Sequence, residues 1–100
     1  RLRQTDGSYY TSATWIAPDG KTTAYADGAF TAAPVTITDV YGRDIPTAWY
    51  VRLPDQNIDV TVTALNPNAW MSTSIPYWEG PITITGSHTG TGYLEMTGYE

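Results

Sequence analysis

Alternation of apolar and polar residues with a period of two is the dominant order along this chain. From Ile58 to Ala64, the run Ile58-Asp59-Val60-Thr61-Val62-Thr63-Ala64 puts four small or branched apolar side chains on one face of a strand and Asp and Thr on the other. Ile82-Thr83-Ile84-Thr85 and Val35-Thr36-Ile37-Thr38 repeat the pattern. All three read as antiparallel strands with one apolar and one wet face. No window carries apolar residues at i, i+3, i+4 and i+7 over three turns, so no long helix is predicted. Reversals fall where Gly, Asn or Asp accept positive φ: Pro18-Asp19-Gly20, Ala26-Asp27-Gly28, Tyr41-Gly42, Asn66-Pro67-Asn68 and Gly86-Ser87-His88-Thr89-Gly90. Between them the spacing predicts strands near 9–17, 21–25, 29–32, 35–40, 47–53, 58–65, 78–85 and 91–97, with 66–77 as the longest irregular link. The expectation is an all-β fold, an antiparallel β-barrel or strongly curved sheet of roughly seven to nine strands.

Composition narrows the function classes. A chain of 100 residues forms one small domain, and its interior has little room for both a dense core and a large cavity. Ten acidic against five basic residues give a net charge of −5, the wrong sign for nucleic acid. No cysteine and a single histidine remove disulfides, thiolate nucleophiles and a zinc triad, so neither metal nor cofactor is expected. No apolar run approaches the roughly 18 residues that span a bilayer, so no membrane span is predicted. The chain opens in mid-pattern at Arg1-Leu2-Arg3-Gln4-Thr5 without an initiator Met, which suggests a fragment or a processed product. Loss of an upstream signal peptide, in a secreted or periplasmic setting, fits that reading.

Candidate chemistry rests on rings and two carboxylates. Four Trp and eight Tyr stand against one Phe, so most rings carry a polar handle and suit either a core bordering water or a cavity for an apolar ligand. Trp15, Trp49, Trp70 and Trp78 lie in or beside different predicted strands, and they either converge on such a cavity or fill a core poor in Leu and Phe. Glu79 follows Tyr77-Trp78 and precedes Gly80-Pro81, a setting that predicts burial with its carboxylate bonded to amides or to a Tyr or Trp donor. Glu95 shares a strand face with Tyr93, Thr97 and Tyr99, while Leu94 and Met96 share the other. If Leu94 and Met96 face outward, Glu95 enters the lumen as a candidate acid; if they face the core, it is solvated. His88 sits in a Gly-Ser-His-Thr-Gly turn and is assigned no role. No nucleophile elbow, phosphate loop or calcium loop is present.

The run Pro76-Tyr77-Trp78-Glu79-Gly80-Pro81, then Ile84-Thr85-Gly86 and Gly92-Tyr93-Leu94-Glu95-Met96-Thr97-Gly98-Tyr99, closely resembles the terminal signature of the lipocalin-like AttH and carotenoid 1,2-hydratase (hydroxyneurosporene synthase) family. Ala26-Asp27-Gly28 and Pro46-Thr47-Ala48-Trp49 are in keeping with it. The resemblance implies a lipocalin-like barrel, residues 1–100 forming the C-terminal part of a longer two-domain β protein. Its members include hydratases of isoprenoid double bonds, relatives acting on phenolic metabolites, pericyclases and proteins of unknown activity, so fold alone does not fix the reaction. The family's catalytic residues lie largely in segments that this chain does not match.

Two functions follow as expectations. In the first, a parent enzyme of the hydratase or cyclase type holds a polyene-like molecule, with Glu95, Glu79 and Tyr93 as candidate acids and Trp faces stabilising a cation. The ligand wall would draw on Trp49 or Tyr50, Trp78, and the Tyr93, Glu95, Thr97 face. In the second, the same rings only line or fill a non-catalytic carrier or structural barrel. The expected partners are a hydrophobic small molecule and, at an unpaired sheet edge, an N-terminal β domain or a second copy.

Overall fold

The structure is a computed structural model that describes residues 1–100. The predicted alternation forms strands throughout: β1 (Leu2–Arg3), β2 (Tyr9–Tyr10), β3 (Ala13–Ile16), β4 (Thr22–Tyr25), β5 (Thr31–Val40), β6 (Arg43–Leu53), β7 (Ile58–Ala64), β8 (Trp70–Met71), β9 (Tyr77–Gly86) and β10 (Gly90–Met96). A single 3-10 turn, Pro54–Gln56, is the only helical element. Every pairing is antiparallel, and the main sheet runs β10-β9-β7-β6-β5, with β8 pairing the start of β9.

The barrel expectation is corrected in one respect, because the sheet does not close. β5 and β10 are its two edges, and the β1–β2 and β3–β4 ribbons pair within themselves rather than extending the ladder. No further strand of this chain bridges β5 and β10, so both edges stay unpaired.

Local chemistry explains where strands differ from the predicted spans. The expected strand 9–17 breaks at Thr11, whose N–H is taken by the Asp27 carboxylate at 2.8 Å and whose hydroxyl accepts from the Gly28 N–H at 3.1 Å. These bonds pin the β2–β3 junction to the Ala26-Asp27-Gly28 turn and withdraw Thr11 from any ladder. Conversely, 29–32 and 35–40 merge into the ten-residue β5 despite Pro34, because an edge strand tolerates a missing N–H. The register shifts there, between Pro34 and Ile37. Trp70 and Met71 add β8 inside the span expected to be irregular.

Between β5 and β6, Val40 pairs with Arg43 across a two-residue loop in which Tyr41 (φ 53°) and Gly42 (φ 82°) are both left-handed. This is the hairpin geometry that favours Asn-Gly, and Tyr41 is 70% exposed, so its ring gains little in return for the strain. Tyr41→Asn is therefore expected to stabilise the fold by about 0.5–1 kcal/mol in urea titration. No gain would mean that the Tyr41 side chain contributes unrecognised packing.

Register partners share a face, and the two faces of the sheet differ sharply. Trp49, Val62 and Ile84 lie in one row, and Ala64 and Ile82 in the next; Trp78 and Met96 are paired on the same side. Val40, Ile45, Trp49, Ala64, Trp78 and Met96 make the core cluster. The other face carries Tyr50, Thr61 and Thr85, then Thr63 and Thr83, then Glu79 and Glu95.

Candidate functional site

The apolar face is only partly covered. Across Val51, Val62, Ile82 and Leu94 it forms the floor of an open trough of about 680 Å³. Trp49 lies in the same wall and is 8% exposed. Such a volume falls within the usual range for small-molecule sites. The alternation of β7 and β9 builds this floor, since Val60, Val62, Ile82 and Ile84 are each followed by an outward Thr. Gly92 keeps the floor low beside Ile82: a Cβ there would meet the Ile82 side chain at 3.3 Å. Tyr9 from the β1–β2 ribbon, Phe30 and Tyr99 also line it, and Arg1 and Arg3 join them close to Tyr99. The Arg1 guanidinium lies 3.5 Å from the centre of the Tyr9 ring and 5.0 Å from that of Trp49. Burial pushes the Tyr99 phenol up, and the Arg1 and Arg3 charges act against that shift.

The residues singled out in the sequence divide between two places. Of Trp49 and Tyr50, only Trp49 reaches the trough; Tyr50 is on the polar face, where a hydrogen bond to Asp59 raises its pKa. Trp78 is fully buried in the core and does not line the trough. Its indole N–H donates to the Pro67 carbonyl at 2.8 Å. Leu94 and Met96 face the core, so the solvated alternative for Glu95 is the one the fold adopts. Glu95 and Thr97 nevertheless border the trough, at the rim where β10 is the edge strand.

Glu79 and Tyr93 stand on the opposite, polar face. Glu79 is half-buried rather than buried, and its carboxylate accepts a 2.8 Å hydrogen bond from the hydroxyl of Tyr93, which is 64% exposed. That bond raises the Tyr93 pKa, and the Glu79 charge does the same for Tyr77. Glu79, Tyr77 and Tyr93 thus form a surface carboxylate–phenol cluster apart from the trough. Because the folded chain holds the Tyr93 proton longer than the unfolded one, this contribution to stability is complete below the ordinary tyrosine pKa of about 10. It is lost as pH rises through the folded value. Glu79→Gln is expected to move the Tyr93 and Tyr77 midpoints down toward the ordinary value, read by NMR of ring-labelled tyrosine. Unmoved midpoints would show that the carboxylate does not control the phenols.

Arg1, Arg3, Tyr9 and Phe30 are among the trough residues that the sequence left unassigned. Arg3 and Tyr9 sit on a ribbon of two-residue strands, and Arg1 directly precedes it, with no long alternation to mark a face, so only the fold reveals their position. Tyr99 was readable as continuing the Tyr93, Glu95, Thr97 alternation, but Gly98 at φ 88° breaks that register.

Comparison with known proteins agrees with this architecture. No curated protein matches the chain. A crystal structure of NE1406 from Nitrosomonas europaea, provisionally assigned as AttH, superposes with a TM-score of 0.81 at 25% sequence identity, covering 98% of this chain and 33% of that one. The chain therefore spans about a third of the length of that protein. The AttH-like family profile matches residues 1–99, so this lipocalin-like all-β chain belongs to the AttH-like family.

Proposed function

We propose that the chain is a lipocalin-like module of a longer two-domain β protein, and that its trough holds an elongated apolar small molecule. The observation that carries this reading is the trough itself. An open sheet presents Val51, Val62, Ile82 and Leu94 to a cleft of about 680 Å³, where a solid core would have packed them against another layer. Apolar surface left in a cleft of this kind marks ligand or partner sites. The floor itself carries no hydroxyl or amide side chain, so a sugar lying on it would leave its hydroxyls without partners.

Trp49 in the wall supplies the test. Titration with retinol should give saturable quenching of tryptophan fluorescence at micromolar ligand. Val62→Phe, which fills the trough from its floor, should weaken that binding at least about tenfold, the effect of roughly 1.4 kcal/mol. Absence of quenching in the unmodified chain would leave a purely structural module as the better description.

A second reading, in which the parent is a hydratase or cyclase, draws support from Glu95 alone. It shares the polar face with Glu79 and Tyr93, but of the three it alone also borders the trough, at the β10 edge. On this reading Glu95→Gln abolishes hydration of a polyene by the full-length parent and leaves ligand binding intact. Unchanged turnover, followed by the polyene's absorption, would remove Glu95 from the chemistry.

A further inference from the structure

We propose that the trough selects an apolar anion: an elongated molecule whose carboxylate head is held by Arg1 and Arg3. The inference rests on the binding reading above and adds the head group and the orientation. Among the five cationic side chains, Lys21 pairs with Asp19 and Arg52 with Asp59. Arg43 lies 4.3 Å over the Trp70 ring and donates to the Tyr41 carbonyl at 3.1 Å. Arg1 and Arg3 have no carboxylate partner, and both line one trough. In a chain of net charge −5, two unneutralised guanidiniums converging on an apolar cleft are unexpected unless an anion completes them.

The surroundings strengthen the case. The Arg1 guanidinium sits beside the Tyr9 and Trp49 rings and forms no ion pair within the chain, so its N–H donors are available to a carboxylate. A charge pair formed against rings is screened less than one on an open surface. With the head at Arg1 and Arg3, the apolar body runs over Val62 and Ile82, which line the same trough. A dianionic phosphate ester suits the site less well, because the acidic chain as a whole opposes the second charge.

Retinoic acid and retinol share one polyene body and differ in the head, so they separate this inference from the binding reading. Retinoate should bind at least tenfold tighter than retinol at low salt, and 0.5 M NaCl should erode that advantage without touching retinol. Arg1→Gln with Arg3→Gln should remove the advantage of retinoate over retinol; Arg52→Gln should leave that advantage unchanged. Equal binding of acid and alcohol, or a retinoate advantage that survives both salt and the double substitution, overturns the anion proposal and leaves the apolar site standing. Failure of both ligands to bind overturns the two together. The salt arm uses the unmodified protein, so the result does not depend on how the variants fold.

Discussion

Trp78→Ala is expected to cost about 4 kcal/mol, a large share of the total stability of a domain this size. Trp78 has no exposed surface, and it packs within the cluster of Val40, Ile45, Trp49, Ala64 and Met96. Only 14 of the 100 residues are buried, so no neighbouring core can take over from this one. The ring is also tied to the Asn66–Ala69 turn, where its N–H donates to the Pro67 carbonyl, and a Cβ on Gly80 would lie 3.4 Å from its six-membered ring. Removing it opens a cavity and strands that carbonyl. Trp78→Phe keeps most of the apolar body and should cost less, about 2 kcal/mol, with the greater part arising in the turn. Urea titration measures both. A loss below about 1 kcal/mol for Ala would mean that the site collapses freely, contrary to its dense packing. Hydrogen exchange should also speed up at the Glu79 amide, which donates to the Ala69 carbonyl at 3.1 Å beside this ring.

Gly86→Ala should be nearly as damaging, at about 3 kcal/mol, for a different reason. Gly86 adopts φ 120°, and a Cβ there would stand 2.6 Å from the Asp59 carbonyl oxygen and 3.1 Å from the Val60 Cα. Both obstacles are backbone, so neither can swing aside. The Asp59 carbonyl accepts from the Ser87 N–H at 2.9 Å, and the Asp59 N–H donates to the Ser87 hydroxyl at 2.7 Å. A methyl group at residue 86 pushes on this pair of bonds and on the β7–β9 ladder that begins at Val60 and Gly86. Gly28→Ala offers the control: its φ is 88° but nothing lies within 4 Å of the added Cβ, so only the dihedral cost of about 1 kcal/mol remains. Equal losses at the two sites in thermal melts would show that dihedral strain alone, and not the close approach, makes Gly86 necessary.

Legibility differed from element to element. The β7 alternation is decided by seven consecutive residues, and the strand forms at Ile58–Ala64 with Val60 and Ala64 buried as the period requires. The Tyr41-Gly42 and Gly86 reversals were equally local, since positive φ depends on the residue itself and its turn. Thr11 was not legible, because its ladder position is lost to Asp27, sixteen residues away, and no neighbouring residue signals the bond. The two alternatives for Glu95 could not be separated along the chain either. Which face of β10 meets the core depends on its pairing with β9, which sets Met96 against Trp78 and leaves Glu95 beside Glu79 on the wet side.

Fold class, strand periodicity, most turns and the family signature at 76–99 were thus properties of short stretches, each governed by backbone preferences and side-chain alternation within a few residues. The open edge, the choice of Trp49 over Tyr50, the separation of Glu79 and Tyr93 from the trough, and the meeting of Arg1 and Arg3 with Tyr99 belong to the tertiary structure. They rest on contacts between residues distant in the chain. Such contacts depend on how many strands the sheet gathers, how far it twists, and which face each pairing turns inward.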